Sequence, residues 1–527
     1  MSHPASHPRL RYFDPSPRES REVVADICVY GGTSGGVAAA VEAGRRGLRV
    51  VLVAPEHRLG GMTSGGLGMT DIGAKEAIGG IAREFYQRVG RHYGVEMEWR
   101  FEPHVAEGVF EEWLAEHDVR VFRGEFLDKV RLCGLRIEAL RTVSELTVRA
   151  RAFVDASYEG DLMAAAGVSY TVGREGNARY GERLNGSQLH HGHQFTAAVD
   201  PYRVAGDPLS GLLPGIEAGE GGLRVGEGDH RIQAYNFRMC LTADPRIRRP
   251  FPKPAGYRAG DHELLRRLAA TGWDEWFEKF DPIRGGKTDT NNHGPVSTDF
   301  IGQNHAYPDG DYETRERIFQ EHVVYQQGVM WTLVNDPGIP AALRERLAPW
   351  GLCGDEFVST GGWPTALYVR ESRRMVSDRV MTEADCRHVR RAADPVALGA
   401  YNMDSHNCRR LLVDGVLRNE GDVQEGVPGA YPISYRSIIP ARGQAENLFV
   451  PFCLSASHVA FGSIRMEPVF MELAQASVIA AALCIESGRS SQDLPYGDLR
   501  PELIAARAVL EIDVPETWSQ PVPACVD

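Results

Sequence analysis

Short apolar runs separated by glycines and Ala-rich stretches mark the start of the chain. Residues 26–30 (DICVY) and 49–55 (RVVLVAP) are continuous apolar runs, and the Ala-rich stretch between them stops at Gly47. Such runs are typical of strands that are buried on both faces of a parallel sheet. The order strand, glycine-rich turn, helix, strand within about 30 residues predicts a Rossmann-like unit and an α/β fold.

The same apolar pattern returns further along the chain. Residues 150–167 (ARAFVDASYEGDLMAAAG) predict a strand, a turn and an Ala-rich helix, and residues 447–453 (NLFVPFC) predict another strand. A polar loop is expected over 455–466 (SASHVAFGSIRM), before a helix that Pro468 opens at its first position. A short strand at 119–121 is expected to follow a helix over 110–116. The sheet is therefore predicted to take strands from both ends of the chain.

The middle of the chain contains stretches with the two-residue period of strands and stretches with the 3.6-residue period of helices. QAYNFRMCLT (233–242) alternates like a strand, whereas HELLRRLAA, RERIFQEHVVYQQGVMWTLV and VRESRRMVSDRVMTEADC (369–386) have helical spacing. No second glycine turn follows a strand here, since GIEAGEGGLRVG lacks the flanking pattern, so one bound nucleotide is predicted. The predicted organisation is an arm without order (1–22), a binding domain in two parts (23–168 and 430–490), an inserted mixed α/β substrate domain (169–429) and a tail (491–527).

Composition narrows the class of protein. The 527 residues include 58 Lys and Arg against 71 Asp and Glu, and a net charge of −13 disfavours nucleic acid and anionic membranes as partners. The polar, Pro-rich start does not resemble a signal peptide, and the apolar stretch 476–485 is too short to span a membrane. Nine scattered cysteines without a CxxC pair predict reduced thiols in a cytoplasmic protein, and no metal-ligand spacing is present.

The first glycine turn predicts a dinucleotide site. Gly31 permits the tight turn, Gly36 lets the helix approach the sheet, and backbone N–H groups at the helix start face a diphosphate. Thr33 replaces the middle glycine of the usual pattern, and Ala54 stands where a ribose-binding carboxylate is usual, with Glu56 as its substitute. The predicted contacts are Gly31, Gly32, Thr33, Ser34, Gly36, Ala54 and Glu56.

A second glycine-rich segment favours a flavin over a nicotinamide. Residues 59–71 (LGGMTSGGLGMTD) contain five glycines, which disfavours both helix and strand and lets the backbone approach a flat ligand. An isoalloxazine ring needs such main-chain packing on one face. The predicted contacts are Gly60, Gly61, Met62, Thr63, Gly65 and Gly66.

Together, four segments resemble the FAD-dependent oxidoreductase family with the glutathione-reductase type of flavin fold. They are residues 26–55, 59–71, 155–176 and 455–477. The resemblance implies a Rossmann-like FAD-binding domain with non-covalent FAD. His57, just after the second strand, offers a covalent attachment point as the alternative, but a solvated histidine is commoner in such a loop. The resemblance places Ala156 and Ser157 near the cofactor phosphates and Val121 on the adenine side. It also aims the start of the last long helix, Arg465, Met466 and Glu467, at the flavin pyrimidine edge.

Polar clusters in the middle segment suit a hydroxylated or amine-bearing ligand. They lie at 287–294, 361–364, 368–371 and 401–407, although TDTNNHG in the first of them also reads as a turn that caps its own backbone. Asp71 either orients a substrate or caps a helix, and each arginine either binds an anion or forms a salt bridge. The candidate substrate-binding residues are Asp71, Arg238, Asn292, Arg370 and Asn407.

Three histidines are candidates for a catalytic base. His458 is preferred because its loop is expected to face the flavin, and a structural hydrogen bond to that loop is the alternative. His293 and His406 follow, because their polar loops are expected to reach the site.

The predicted reaction transfers a hydride from a CH–OH or CH–NH group of a small polar metabolite to flavin N5, with O₂ or a separate electron acceptor. The alternatives are an FAD-dependent monooxygenase that uses external NAD(P)H and a non-catalytic flavin-binding protein. A homo-oligomer is compatible with the sequence.

Overall fold

Helices and strands both occur along the whole described chain. The structure is a computed structural model that describes residues 10–15, 19–219 and 223–512. The helices are α1 (Ser34–Arg45), α2 (Gly61–Ser64), α3 (Gly80–His92), α4 (Pro103–Glu116), α5 (Asp161–Ala165), α6 (Asn177–Tyr180), α7 (Glu263–Ala270), α8 (Tyr312–Asn335), α9 (Ala341–Leu347), α10 (Glu383–Cys386), α11 (His458–Ile464), α12 (Glu467–Ser487) and α13 (Tyr496–Ala505).

The strands are short, and most belong to one of three sheets. They are β1 (Arg21–Val24), β2 (Ile27–Tyr30), β3 (Val50–Ala54), β4 (Arg120–Arg123), β5 (Leu127–Cys133), β6 (Arg136–Thr142), β7 (Leu146–Arg149), β8 (Ala152–Asp155), β9 (Tyr170–Thr171), β10 (Tyr202–Val204), β11 (Asp207–Leu212), β12 (Glu217–Ala218), β13 (Met239–Thr242), β14 (Arg248–Arg249), β15 (Phe280–Ile283), β16 (Lys287–Thr290), β17 (Gly351–Cys353), β18 (Arg374–Met375), β19 (Pro395–Gly399), β20 (Met403–Ser405), β21 (Arg409–Val413), β22 (Val416–Glu420), β23 (Val423–Glu425), β24 (Tyr431–Ser434) and β25 (Leu448–Phe449).

The central sheet is parallel and has the order β25-β8-β2-β3-β4. Its registers pair Tyr30 with Val53 on one side and with Asp155 on the other, so three strands end at the same edge. Ligands of open α/β sheets bind beyond the carboxyl ends of such strands. The Rossmann-like α/β fold is confirmed, and β25 shows that a strand from the far end of the chain completes this sheet.

Two further sheets flank this unit. The strands β1, β7, β6 and β5 form one four-stranded sheet, and the middle segment builds an antiparallel sheet of order β14-β17-β13-β16-β15. The middle sheet shares its own apolar core with α7 and α8, around Phe237, Phe319 and Trp363. A separate α/β unit with its own core is what an inserted domain requires, although the boundaries given above stay a prediction.

The long helix α12 lies at the centre of the molecule. Among the described helices it is the one long and apolar enough to span a membrane. However, 89% of its most apolar 18-residue stretch is buried inside the protein. It packs along α1, and Pro468 lies in its first turn, as the sequence predicts. A helix that is apolar on all sides and covered by protein is a core helix.

Two predictions of local structure are wrong. Residues 369–386 are extended around β18, with only the short helix α10 at their end, because Arg370, Glu371 and Arg374 are buried and ion-paired instead of forming a solvated helix face. The predicted loop at 455–466 contains α11, because the Ser457 hydroxyl caps the helix by accepting the Ala460 N–H at 3.3 Å. Long-range pairing overrides charge periodicity in the first case.

The predicted arm without order differs from the structure. Leu10 is 1% exposed, the N–H groups of Tyr12 and Phe13 donate to Glu316 at 2.7 and 2.9 Å, and Phe13 stacks on Tyr312. Apolar side chains that pack on α8 fix this segment although its composition is polar. The structure does not describe residues 1–9 and 16–18 of the arm, 220–222 within GIEAGEGGLRVG, or 513–527 of the tail, which include Cys525.

Candidate functional site

The turn between β2 and α1 is built around two glycines. Gly31 has φ +108°, and a Cβ there would lie 2.6 Å from the backbone of Ala156 and Ser157. A Cβ on Gly36 would lie 1.9 Å from the Gly31 carbonyl oxygen. The turn therefore needs glycine at both positions, which brings the start of α1 to the edge of the sheet, where its free N–H groups suit an anion.

Thr33 caps α1. Its hydroxyl accepts the Gly36 N–H at 3.0 Å and donates to the Ala156 carbonyl at 2.8 Å, so it ties α1 to the end of β8. The hydroxyl is thereby used inside the protein, whereas the sequence left it free to contact a phosphate. Ser157 also bonds inward, to Asp155 at 2.6 Å, and Ala156 offers its backbone at the turn.

Glu56, the predicted substitute for the strand-end carboxylate, lies two residues beyond the end of β3. Its Oε2 accepts the Gly32 N–H at 2.9 Å, and burial raises the pKa of this carboxyl group. Glu56 lines a cavity of about 500 Å³, which we call the outer cavity, together with Gly61 and Tyr158. Ala54 is fully buried beneath Gly32 and does not line that cavity.

Val121 does not line the outer cavity. It pairs with Leu52 in the middle of β4, and the ring that lines the outer cavity on this side is Phe126, beyond the end of the strand. Residues at the carboxyl end of a parallel strand reach the ligand edge, and residues within the strand do not.

The glycine-rich segment 59–71 is more regular than predicted, because it contains α2. A Cβ on Gly60 would lie 2.4 Å from the Phe110 ring, and one on Gly66 would lie 2.0 Å from the Arg238 carbonyl oxygen. These glycines admit protein neighbours rather than a ligand. Gly61 lines the outer cavity, and a Cβ there would lie 2.3 Å from the Tyr158 hydroxyl oxygen.

A buried carboxyl group joins this segment to the starts of α1 and α12. Glu467 accepts hydrogen bonds from the hydroxyls of Ser34, Thr63 and Tyr158 at 2.6, 2.8 and 2.7 Å. Burial raises the pKa of Glu467. Tyr158 also accepts the Met62 N–H at 2.9 Å. The starts of α1 and α12 thus meet around one buried acid, which three hydroxyl groups hold in place.

Tyr158 separates the outer cavity from a second space. This inner chamber is lined by Tyr158, Tyr368, Val369, Arg370, Glu371, Phe452, Phe461, Arg465, Glu467 and Phe470. It encloses only about 10 Å³, so a ring system enters it only when side chains such as Tyr158 move. Arg58 Nη2 beside the outer cavity and Arg465 Nε beside the chamber are buried without a hydrogen-bond partner among the described residues.

Three arginines surround Tyr368 at the inner chamber. The guanidinium carbons of Arg370, Arg465 and Arg238 lie 4.6, 5.8 and 5.9 Å from the centre of its ring, and Arg465 Nη1 donates to its hydroxyl at 2.9 Å. Burial raises the pKa of Tyr368, while the three arginines oppose that shift. Tyr368 lies in the polar cluster 368–371 that the sequence marks, but its role was not predicted.

Each of these arginines has one aspartate partner. Arg238 binds Asp289 at 2.7 Å, Arg370 binds Asp299 at 3.1 Å and Arg465 binds Asp404 at 3.0 Å. Arg370 and Arg465 each keep a buried Nε without a partner among the described residues. The cluster is therefore nearly neutral but retains N–H donors for an additional acceptor.

His406 connects two of these ion pairs. His406 Nδ1 lies 2.7 Å from Asp299 Oδ2, and the other oxygen of Asp299 pairs with Arg370. His406 Nε2 lies 3.8 Å from Asp404. Because Nδ1–H donates to Asp299, Nε2 is left as an acceptor beyond hydrogen-bond distance of Asp404. Burial and the nearby Arg370 lower the pKa of His406.

The preferred histidine of the sequence is differently placed. His458 is 1% exposed, its Nδ1 lies 2.7 Å from Glu371 and its Nε2 lies 3.0 Å from the Ser405 hydroxyl. Both ring nitrogens are engaged, so His458 holds β20 and the 371 segment against α11. It contacts the chamber only through Glu371.

The other predicted residues divide into two groups. Asp71 joins the arginine cluster, where it accepts from the Tyr401 hydroxyl at 3.1 Å. His293 lies apart, with Nε2 at 3.3 Å from Glu275, and neither Asn292 nor Asn407 lines the outer cavity or the chamber. His406 does not line them either, but Asp299 links it to Arg370 in the chamber wall. Side chains of one polar loop are close in sequence but point in different directions. The polar clusters therefore contain more residues than line the outer cavity and the chamber.

A group of possible metal ligands lies elsewhere. Donor atoms of Glu102, His104 and Glu356 lie within 4.8 Å of one another. Lys287 Nζ lies among them, 2.9 Å from Glu102 and 2.7 Å from Glu356. An ammonium ion that satisfies these carboxylates competes with a cation for the same oxygens.

The family model for FAD-dependent oxidoreductases matches residues 26–503, and the chain belongs to this family. No curated protein matches the sequence. The outer cavity, the two helix N-termini and the unpartnered Arg58 N–H fit the dinucleotide that the family requires.

Solved structures align with only part of the chain. An L-amino acid deaminase from Proteus vulgaris is 14% identical over 34% of this chain and 57% of its own, with a TM-score of 0.24. A 3-ketosteroid dehydrogenase from Rhodococcus jostii is 15% identical over 28% and 49%, with a TM-score of 0.20. A thioredoxin reductase from Streptococcus pyogenes is 18% identical over 25% and 35%, with a TM-score of 0.18. The chain thus spans about a third to just over half the length of these structures.

Proposed function

We propose that this protein is a dehydrogenase or oxidase that takes a hydride from a CH–OH or CH–NH group of a small polar substrate. The observation that carries the proposal is the convergence of Arg238, Arg370 and Arg465 on Tyr368 at the inner chamber. When bound, FAD supplies a two-electron acceptor at N5 and passes the electrons to O₂ or a separate acceptor.

The proposal assigns the cofactor-holding roles to both cavities. The N–H groups at the start of α1 and the α2 segment hold the diphosphate, and Glu56 in the outer cavity accepts from the ribose hydroxyls. Arg465, which precedes α12 and lines the inner chamber, would help to hold the flavin ring. No histidine, cysteine or tyrosine is assigned a bond to the cofactor, so the proposed attachment is non-covalent.

Substrate is held at the inner chamber through the arginines. The Nε–H groups of Arg370 and Arg465 are donors without partners among the described residues, and a hydroxyl, carbonyl or carboxylate oxygen of the substrate satisfies them. Tyr368 keeps its proton because burial raises its pKa, so it donates to or accepts from the substrate as a neutral phenol. The paired aspartates fix the direction of each guanidinium group.

We assign the proton-accepting role to His406 in place of His458. His406 Nε2 has no hydrogen bond among the described residues, whereas both nitrogens of His458 are engaged. The lowered pKa keeps His406 neutral at pH 7 and able to accept the proton of a substrate O–H or N–H. Asp299 holds the ring and stabilises the imidazolium that forms.

Anaerobic mixing tests the reaction class. A panel of hydroxy acids, amino acids and polyols is added without nicotinamide, and we expect at least one class to bleach the flavin absorption band. Bleaching by NAD(P)H alone, with oxygen gained by the product, supports a monooxygenase instead. Absence of bleaching by every compound contradicts an oxidoreductase that accepts small polar substrates.

Two matched variants test the base. We expect His406→Asn to slow anaerobic flavin reduction by about 10²–10⁴-fold with FAD content unchanged, because a positioned base contributes that much. The wild-type rate is expected to rise with pH through the pKa of His406, below its usual 6.5, and to lose this dependence in the variant. His458→Asn serves as the positioning control; an equal or larger effect there returns the role to His458.

Location and assembly belong to the same proposal. We propose a cytoplasmic enzyme, since the eight described cysteines are unpaired, and one compatible with homo-oligomers. Purification without reductant that leaves these thiols free in a denatured sample tests the first point.

A further inference from the structure

A large cavity lies away from the outer cavity and the inner chamber. It encloses about 890 Å³ between α7, α8 and the 300–306 segment, and it shares no lining residue with the outer cavity or the inner chamber. This volume falls in the range of small-molecule sites. We call it the Arg410 cavity, after a buried arginine in its wall.

Arg410 is buried and has no acidic partner among the described residues. It is 6% exposed, its Nε donates to Asn419 Oδ1 at 3.0 Å and its Nη2 donates to the Pro295 carbonyl at 2.7 Å. Its neighbour Arg409, by contrast, pairs with Glu420 at 2.8 Å. Burial lowers the pKa of Arg410, and no carboxylate opposes that shift. A buried charge without a counter-ion costs free energy.

The free edge of this guanidinium faces the cavity. Nη1 makes no hydrogen bond to a described residue, and it lies 3.9 Å from the position of a Cβ on Gly215, which also lines the cavity. Asn419 and Pro295 fix the plane of the group. The donor is therefore rigidly aimed before any ligand arrives, which limits the entropy that binding costs.

The other charges of the wall cancel. Arg258 pairs with Asp261 at 2.9 Å, and Arg317 pairs with Glu321 at 3.0 Å. His262 and His305 also line the cavity, and burial lowers the pKa of each to about 4, so both are neutral at pH 7. One positive charge is left uncompensated, which suits a monoanion and disfavours a dianion such as a phosphate monoester.

Flat side chains form much of the remaining wall. Phe300 and Tyr325 stack with ring centres 4.0 Å apart and an interplanar angle of 8°, and Tyr257 stacks on His262 at 5.2 Å. Leu264, Ile301 and Val329 add apolar surface. Such walls favour a planar or branched apolar body over a sugar or polyol.

We propose that the Arg410 cavity is a second binding site, which takes a small organic monocarboxylate with an aromatic or branched apolar body. The carboxylate pairs with Arg410, and the apolar body packs against Phe300 and Tyr325. The site is separate from the flavin reaction, although Phe300 follows Asp299, the partner of His406 and Arg370.

Calorimetry on the FAD-loaded protein tests this proposal with phenylacetate and its uncharged isostere phenylacetamide. We expect phenylacetate to bind at least about tenfold more tightly, because a hydrogen-bonded buried ion pair contributes that much. Arg410→Gln is expected to remove the preference for the acid, whereas Arg317→Gln at the rim keeps it. Equal affinity for acid and amide in the wild type, or a preference that survives in Arg410→Gln, overturns the proposal.

Crystallography locates the probe even if Arg410→Gln fails to fold. Wild-type crystals are soaked with 4-iodophenylacetate, whose iodine is found by anomalous scattering. We expect the carboxylate within hydrogen-bond distance of Arg410. Density only in the inner chamber, next to Arg370 and Arg465, contradicts the second site and leaves the proposed oxidoreductase reaction untouched.

Discussion

The turn before α1 and the cluster around Tyr368 are built from very different stretches of chain. The turn takes Gly31, Thr33 and Gly36 from six consecutive residues and closes on Ala156 at the end of an adjacent strand. The Tyr368 cluster draws its charges from residues between 71 and 465. The first arrangement follows from local geometry, whereas the second exists only after the whole chain has folded.

Acid acts oppositely on buried groups of two regions. We call residues 23–168 and 430–490 the binding region and residues 169–429 the middle region. In the binding region, burial raises the pKa of Asp155 to about 6 and of Glu159 to about 7, so their protonation favours the folded state as pH falls. In the middle region, burial lowers the pKa of His262, His305 and His322 to about 4, so the folded state resists their protonation. We therefore expect the middle region to weaken first in acid.

The largest expected effect comes from filling the local turn. In Gly36→Val, the new Cβ would lie only 1.9 Å from the Gly31 carbonyl oxygen. Because the two atoms cannot both keep these positions, we expect the variant to lose FAD and at least about 3 kcal/mol of unfolding free energy. Denaturant unfolding and the absorbance ratio of the flavin band measure both. Gly108→Ala on α4 has no neighbour within 4 Å and is the control, expected to be neutral or stabilising. A folded, yellow Gly36→Val protein contradicts the turn geometry.

An intermediate effect is expected from one histidine of the middle region. Between pH 6.5 and 4 the folded protein binds fewer protons at His262 than the unfolded chain, so the free energy of unfolding falls as pH falls through this window. His262→Phe keeps the stack on Tyr257 and removes the titration. We expect it to recover roughly 2–3 kcal/mol of the loss between pH 7 and pH 4, at about 1.4 kcal/mol per pKa unit.

Chemical denaturation at a series of pH values measures this difference, and hydrogen exchange locates it. We expect exchange of α7 and α8 to accelerate at pH 5 before that of α1, and to be slowed by His262→Phe. Parallel pH dependence of variant and wild type shows that His262 does not carry the acid sensitivity.

The smallest expected effect concerns the carboxylate that replaces the usual strand-end acid. Glu56→Gln keeps an acceptor for the Gly32 N–H but removes the charge, so we expect FAD to bind about five- to tenfold more weakly with stability unchanged. Fluorescence titration of the apoprotein with FAD measures this. Glu111→Gln, on the surface beside Arg123, is the matched control. Unchanged affinity in Glu56→Gln assigns the ribose contact to other residues.

The sequence by itself determined the binding region well. The runs at 26–30, 49–55 and 150–155 and the glycines between them dictate parallel buried strands and a tight turn, since these patterns depend on neighbours in sequence. The glycine-rich segment and the C-terminal helix with Pro468 were recognisable for the same reason.

Only the tertiary structure decided which polar residues share a site. Charge spacing at 369–386 indicated a helix, but buried partners hold Arg370, Glu371 and Arg374 in an extended segment. Asp299 carries no sequence motif, yet it orients both Arg370 and His406. A partner far along the chain changes the free energy of a buried charge by several kcal/mol, and local patterns contain no record of that partner.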